Sequence, residues 1–187
     1  MAVTLTQQQR VKFAAALAEQ EAAVDQLKVS LVADSPNLTR CATDVYGKFA
    51  RPDLPAVLRL AKQYGSINEA RMIANPGLPH WVAQQWEQIG FDVDFLGRAS
   101  DCDDRAIRQC VQSAMDADVL FIMSGDHAFV DVIRLIRMSQ KKVVVVAVRS
   151  MTAACLIEAC DQFIELPITL RSQAASVMSF MVEKRVN

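Results

Sequence analysis

The sequence lacks a CxxC pair, has few histidines and has no long apolar run, and each of these absences excludes a class of protein. Its five cysteines are odd in number and form no CxxC pair, and its two histidines provide no zinc-ligand spacing. No apolar run approaches the roughly 20 residues that a membrane-spanning helix needs, and the first residues lack the basic-then-apolar pattern of a secretory signal. We therefore expect a cytoplasmic protein with reduced thiols and no membrane partner.

An excess of charge of one sign is also lacking. The chain has 20 basic and 21 acidic side chains and a formal net charge of −1, so it has no overall attraction for nucleic acid. A polyanion would have to be held by a local basic patch or by a metal ion. Hydrophobic residues make up 52% of the 187 residues, which is enough for a full core and argues against disorder.

Short apolar segments alternate with helical patterns along most of the chain. This alternation predicts an α/β fold with three layers, in which a mostly parallel central sheet has helices on both faces. The runs VLFIM and VVVVAV have no polar alternation, which is typical of central strands buried on both sides. The predicted strands are residues 29–33, 69–73, 91–95, 119–123, 142–148 and 162–165. The predicted helices between them are residues 54–64, 78–89, 104–115, 128–140 and 152–160.

Further helices are predicted at both ends of the chain. Residues 6–28 begin with a capping box formed by Thr6 and Gln9, and residues 169–184 form a helical tail. We therefore divide the chain into an N-terminal helix (1–27), a main domain (28–167) and a C-terminal helix (168–187). Residues 49–55 contain two prolines and are predicted to be a mobile loop.

The first helix carries an apolar stripe whose use the sequence leaves open. The stripe can pair two subunits, or it can pack on the sheet of its own subunit, which is the commoner arrangement. We lean slightly towards a homodimer. The residues of the stripe are Phe13, Leu17, Val24 and Leu27.

Acidic residues occur where the predicted strands end. Asp34 follows the first strand, Asp126 follows VLFIM, and three acids open the helix before VLFIM: Asp101, Asp103 and Asp104. Ligands of parallel sheets bind at the carboxyl ends of strands, where the strand order reverses. Carboxylates gathered there repel one another unless a cation intervenes. Mg²⁺ or Mn²⁺, held by carboxylates, waters and a phosphate, would fit and could activate a water.

Each of these residues also has a purely structural explanation. Asp34 can be a turn or cap residue before Pro36, Asp126 can cap the helix that follows it, and acids stabilise any helix N-terminus. The convergence of three separate segments, rather than a single residue, favours a site.

Polar and basic neighbours of these acids are open to two interpretations as well. Some can hold water or phosphate oxygens, and others can bind a phosphate backbone; the alternatives are ordinary turn residues and solvated surface. The candidates are Ser35, Asn37, Ser124, His127, Arg40, Lys48, Arg51, Arg98, Arg105 and Arg108.

Four motifs, in order and with matching spacing, resemble the NYN (LabA-like) branch of the PIN-like nuclease superfamily. That family typically shows DGNNL after a strand, a helix that opens with lysine-glycine-x-aspartate, then SGDxDF, and a closing ADxFIxL. The corresponding segments here are DSPNL at 34–38, DCDD at 101–104, SGDHAF at 124–129 and CDQFIEL at 160–166. The third and fourth motifs together are fairly specific, and the resemblance covers residues 29–166.

The resemblance implies a PIN-like fold and a ribonuclease that depends on Mg²⁺ or Mn²⁺ and acts on single-stranded or structured RNA. Carried over by position, the catalytic and metal-binding residues are Asp34, Asp104 and Asp126. Asn37 is a supporting polar residue, and we assign substrate contacts to Asn37, Ser124, Arg40 and Arg105.

Two departures from the family pattern, and two terminal helices that resemble docking or dimerisation surfaces, support a second hypothesis, an inactive module that binds RNA or a protein partner. Ala128 replaces the second aspartate of SGDxDF, and Cys110 replaces a further acid in the preceding helix. Asp101 and Cys102 replace the lysine and glycine that open that helix. Fewer carboxylates leave less charge to hold a second metal ion.

A phosphoacceptor receiver domain, suggested by the opening KVSLVADSPNLTR, fits the rest of the chain poorly. The third predicted strand, FDVDFLGRA, does not end in the required aspartate. The fifth one, VVVVAV, is followed by Arg149 and Ser150 instead of lysine.

Overall fold

A computed structural model of the protein describes residues 6–98 and 101–170. Six strands form one wholly parallel sheet: β1 (Lys28–Asp34), β3 (Ser66–Ala74), β4 (Asp92–Phe95), β5 (Val119–Met123), β6 (Lys142–Ala147) and β7 (Gln162–Glu165). Two further strands, β2 (Ala50–Pro52) and β8 (Ile168–Leu170), form a small antiparallel pair. The helices are α1 (Gln7–Asp25), α2 (Ser35–Tyr46), α3 (Leu54–Ala61), α4 (His80–Gln88), α5 (Cys102–Asp116), α6 (Val130–Met138) and α7 (Ala154–Ala159).

The sheet is covered by a hydrophobic layer on each face, which confirms the predicted fold class. Successive residues of a strand point to opposite faces, so Leu31 and Phe121 pack in the layer under α2 and α3. Val32 and Ile122 pack in the other layer, with buried residues of α5, α6 and α7. The central strands β1, β5 and β6 are buried on both sides because both layers are filled.

Strand order places a reversal point at the centre of the sheet. The order is β4-β3-β1-β5-β6-β7: from β1 the chain builds outward through β3 and β4, and then returns to the other side of β1 with β5. The loops after β1 and β5 therefore leave the sheet in opposite directions. Such a point forms a crevice at the carboxyl ends of the two strands, where ligands of α/β proteins bind.

Two predicted regions differ from the structure because local patterns did not show their partners. Residues 49–55 are not a mobile loop: Ala50–Pro52 pairs with Ile168–Leu170, and α3 begins at Leu54. For the same reason the predicted C-terminal helix (168–187) begins with a strand, and its remainder lies outside the described residues. Helix α2 was missed, since Pro36 suggested a turn, whereas proline is well tolerated in the first helical turn.

The N-terminal helix has the predicted capping box, with the Thr6 hydroxyl accepting from the Gln9 N–H and the Gln9 side chain accepting from the Thr6 N–H. Phe13 remains 62% exposed, so this part of the stripe does not pack on the sheet of its own subunit. The homodimer stays a prediction.

A candidate acidic site at the carboxyl ends of the central strands

Strand geometry brings Asp34 and Ser124 together at the reversal point. Ala33 of β1 is paired with Met123 of β5, so the next residues of the two strands, Asp34 and Ser124, are neighbours. Both follow the alternation that points Val32 and Ile122 towards α5, and both are buried, with 1% and 0% of their surface exposed. A buried carboxyl group therefore stands where the fold provides a crevice.

Hydrogen bonds hold the Asp34 side chain in place. One carboxylate oxygen accepts from the Asn37 N–H (3.4 Å), which caps α2, and the other accepts from the Ser124 hydroxyl (3.2 Å). The Ser124 oxygen in turn accepts from the Asp126 N–H at 3.3 Å. The cap interpretation of Asp34 is thus correct, but it does not account for a carboxyl group that is also buried against a second strand.

The pKa of Asp34 is raised from 3.8 to about 6. Burial is the main cause, because it removes the charged form from water, and the neighbouring Asp103 carboxyl raises the pKa further through repulsion and a hydrogen bond. The hydrogen bonds from Asn37 and Ser124 act in the opposite direction. A carboxylate in this setting gains stability from a cation that neutralises it.

The acid that faces Asp34 from α5 is Asp103. Asp103 lies three residues before Ala106 and seven before Cys110, so it is at the edge of the helix face that is buried on the sheet. Asp103 and Asp104 are both exposed, and Asp104 falls on the opposite side of the helix, with Arg108. Within the described part of the chain, the electrostatic contacts that shift Asp34 come from Asp103 and not from Asp104. With 3.6 residues per turn, the apolar positions of α5 show which of its acids lies nearer the sheet. This signal in the sequence could have identified Asp103.

The turn after β5 is fixed tightly to its surroundings. The Gly125 N–H donates to the Asn37 side-chain oxygen (3.1 Å), and its carbonyl accepts from the Ala153 N–H (3.1 Å). A Cβ atom at Gly125 would lie 3.0 Å from the Thr152 hydroxyl oxygen and 3.2 Å from the Met151 carbonyl oxygen. Asn37 therefore joins the loops after β1 and β5, and its contact with substrate stays a prediction.

Asp126 lies at the rim of this cluster. One carboxylate oxygen accepts from the Ala128 N–H (2.9 Å), as a cap of the short turn before α6, and lies 3.2 Å from the His127 imidazole Nδ1. Its side chain is 26% exposed and that of His127 is 81% exposed. Asp126 thus caps a turn, and its side chain reaches solvent near Ser124.

The predicted basic contacts divide into two groups. Arg105 donates to Asp94 at 2.7 Å and forms an ion pair with it, so this guanidinium ties α5 to β4 and is partly neutralised. Arg40 is exposed, one turn along α2 from the acidic cluster. The contact of Arg40 with a substrate phosphate stays a prediction.

The family position occupied by Cys110 belongs to the core. Cys110 is fully buried among the apolar residues under α5, and burial raises the pKa of its thiol. No carboxylate could be kept charged there without a partner.

The acids fit a site with few protein ligands. Among the residues that the structure describes, no three acidic, cysteine or histidine side chains are gathered closely enough to hold a metal ion, so Asp34, Asp104 and Asp126 are not brought together as one set. Mg²⁺ is commonly held by one or two carboxylates and keeps several waters. The Asp34–Asp103 pair fits that mode, and it does not fit a cage with all its ligands from the protein.

Comparisons with known proteins agree with this architecture. A sequence profile of the NYN domain family matches residues 28–168, whereas no curated protein matches the chain significantly. The crystal structure of VPA0982, a protein of unknown function from Vibrio parahaemolyticus RIMD 2210633, is similar with a TM-score of 0.70 and 22% identity. The alignment covers 76% of this chain and 94% of that chain, and at this identity it supports the fold alone. No helix in the described residues is long and apolar enough to cross a membrane.

Proposed function

This chain belongs to the NYN domain family, and from that premise we propose that it is a divalent-metal-dependent ribonuclease with a partly degraded acidic site. The observation that carries the proposal is the buried carboxyl group of Asp34, next to the exposed carboxyl group of Asp103, at the reversal point of the sheet. Burying one carboxyl group beside another is unfavourable unless a cation or a proton neutralises the pair. A fold that keeps this arrangement where ligands bind is suited to hold Mg²⁺ or Mn²⁺.

The roles of the side chains follow from their contacts. Asp34 and Asp103 are the proposed ligands, with Asp103 in the role that the resemblance gave to Asp104. Asp126, at the solvent rim, is placed to orient a water that attacks the phosphodiester. Ser124 and Asn37 hold Asp34 and the turn after β5 in position.

A bound divalent cation would supply charge for the phosphate oxygens and would lower the pKa of a water molecule. The protein supplies the shape around it: Arg40 is exposed nearby and is the proposed contact for an RNA phosphate. The substrate class is single-stranded or structured RNA, and the compartment is the reducing cytoplasm, where the free thiols of all five cysteines are stable.

The test is cleavage of single-stranded RNA with Mn²⁺ and with EDTA. We expect cleavage that needs Mn²⁺ and that falls at least about a hundredfold in Asp34→Asn, because charge stabilisation by a metal ion is worth several kcal/mol and 1.36 kcal/mol is tenfold. Asp53→Asn is the matched control: Asp53 also caps a helix with proline in its first turn, on α3. Asparagine caps helices as well as aspartate does. Both variants therefore keep their helix cap, and only Asp34→Asn removes a carboxylate from the acidic site.

Equal activity of wild type and the Asp34→Asn/Asp126→Asn double variant, or activity that persists in EDTA, would rule out this mechanism.

The second candidate is an inactive module that binds RNA or a protein, and two observations favour it. Ala128 lacks the family carboxylate, and Cys110 is sealed in the core. Titration calorimetry with Mn²⁺ separates the candidates: binding to wild type that is lost in Asp34→Asn contradicts the inactive module, and the absence of binding to wild type supports it.

A further inference from the structure

A cavity with basic walls lies at the edge of the sheet opposite the acidic site. Its volume is about 860 Å³, and it is formed where α6 ends and where β6 and β7 begin. Its basic side chains are Arg134, Arg137, Lys141 and Lys142, and its single acid is Asp161. Because all strands of the sheet are parallel, this amino-terminal edge lies about one strand length, roughly 20 Å for six residues, from the carboxyl ends that carry Asp34.

The cations of this cavity come from one segment of chain. Residues 134–142 contain four basic side chains and no acid, in a chain with a formal net charge of −1. Such a segment creates a local positive patch to which a polyanion can bind, although the chain as a whole has almost no net charge.

The acids near these cations leave positive charge unmatched. Asp161 accepts from the Val143 N–H and pairs with Arg137 at 2.8 Å, which fixes that guanidinium in the wall. Asp131 lies 3.4 Å from Arg134, but both side chains are largely exposed, at 94% and 64%; exposed pairs of this kind are weak.

Of two further cations, one has a distant acidic partner and the other lies over an aromatic ring. Lys141 lies 3.9 Å from Asp118, and the Lys142 ammonium lies 4.7 Å from the centre of the Tyr64 ring. An aromatic face stabilises a cation without neutralising it. The Tyr64 ring packs in the layer under α2 and α3, so the Lys142 ammonium adds positive charge to this edge on the face of the sheet opposite α6.

Gln140, at the end of α6, has an unusual backbone conformation. It follows the end of α6 with a φ of 59°, and it is the one non-glycine in the described residues with a positive φ. Glycine is the favoured residue at this position of a helix end. Gln140 also lines the cavity, and a glutamine side-chain amide can donate to a phosphate oxygen.

We propose that this basic cavity binds the phosphodiester backbone of the single-stranded RNA whose scissile bond lies at the acidic site. Helix α6 connects the two places: its N-terminal end follows the turn that contains Asp126, and its C-terminal end forms the cavity wall about 14 Å away. A strand of several nucleotides can lie along that distance. The proposal rests on the proposed function for the identity of the substrate.

The binding test uses the full chain in EDTA, so that no cleavage takes place. A fluorescent oligouridylate of about 12 nucleotides, within the size range of single-strand sites, is titrated at several salt concentrations. Arg134→Glu/Lys141→Glu should weaken binding about tenfold and should reduce the slope of log K against log salt by about 1.4, since each phosphate contact contributes about 0.7 for single strands.

The control is Arg10→Glu/Lys12→Glu on α1, which makes the same change in net charge at exposed positions. It should leave both quantities nearly unchanged. Equal losses in the two double variants, no loss in either, or equal affinity for an acidic peptide of matched charge would overturn the proposal. Arg134→Gln/Lys141→Gln, which adds no negative charge, repeats the test if the glutamate variant unfolds.

Cleavage assays separate this proposal from the proposed function. With Mn²⁺, the Arg134→Glu/Lys141→Glu variant should raise KM for RNA and leave kcat nearly unchanged, and it should hydrolyse bis(p-nitrophenyl) phosphate as wild type does. An equal loss on that small substrate would overturn the role of the cavity. Absence of cleavage by wild type would contradict the proposed function alone, because the binding test in EDTA needs no catalysis.

Discussion

The two edges of the central sheet differ in how they carry charge. At the carboxyl edge, Asp34 is buried between two strands, next to a second carboxyl group and within a hydrogen-bond network. At the amino edge, Arg134 and Lys141 stand in an open cavity, with partners that are exposed or distant. Burying a charge reduces stability unless specific partners surround it. An exposed charge changes stability little and acts mainly through the number of like charges nearby.

The comparison indicates at which edge side chains can be replaced without loss of stability. Changes at the basic edge should affect binding and its dependence on salt while the fold stays intact, because these side chains contribute little to the core. Changes at the acidic edge should affect stability and chemistry together. The three predictions below test that coupling, from the largest expected effect to the smallest.

The largest effect concerns stability against pH in metal-free protein. The pKa of Asp34 is about 6 in the folded state and 3.8 as the unfolded reference, so between these values the folded state binds more protons. Stability from Asp34 is therefore fully present below about pH 4 and is lost as the pH rises through 6, by up to about 3 kcal/mol for a shift of about two units.

Asp34→Asn should remove this dependence and should be the more stable protein at pH 7. Urea unfolding in EDTA between pH 4 and 8 measures the difference between wild type and variant, and Asp53→Asn reports on the loss of a capping carboxylate elsewhere. A difference that stays constant over this range would show that Asp34 ionises as it does in the unfolded chain.

The second effect distinguishes two adjacent acids on α5. Asp103→Asn should reduce Mn²⁺-dependent cleavage at least tenfold, about 1.4 kcal/mol, because Asp103 faces Asp34. Asp104→Asn should reduce it less than threefold, since Asp104 lies on the side of α5 opposite its buried positions. Steady-state kinetics on one RNA substrate measures both, and the reverse order would restore the assignment made from the resemblance.

The smallest effect concerns the anchoring of α5, which positions Asp103. Burial raises the pKa of Glu69, but hydrogen bonds from Ser113, Arg71 and Gln109 outweigh it and lower the pKa overall. The Ser113 hydroxyl donates to Glu69 at 2.6 Å, so Ser113→Ala should cost about 1 kcal/mol of stability.

Gln112→Ala, on the exposed face of the same helix, is the matched control and should change stability by less than about 0.5 kcal/mol. Urea unfolding measures both variants. Equal effects would show that the contact between Ser113 and Glu69 contributes nothing beyond the propensity of the helix.

Much of the fold followed from local patterns. The strands at 119–123 and 162–165 have the predicted bounds, and the other predicted strands and helices of the main domain lie within a few residues of those observed. These elements have a strong apolar period or a run buried on both sides. The pairing of β2 with β8 could not be predicted, because its partners are more than 100 residues apart and each strand is only three residues long.

The residues of the site stay predictions. Asp34 and Asp126 were chosen from their place at strand ends, and both form hydrogen bonds with Ser124. The choice of Asp104 came from a match of motif spacing, which cannot tell which side of a helix faces the sheet. Arg105 was expected to contact substrate, and only the tertiary structure shows its ion pair with Asp94.

The sequence by itself determined the six strands of the main sheet, the helices with a strong apolar period and the acids that follow the strands, because period and burial are properties of neighbouring residues. The tertiary structure decided which of those acids meet, and which cations collect at the far edge. Both depend on strand order and on the rotation of helices against the sheet, and these are fixed by packing between segments far apart in the chain.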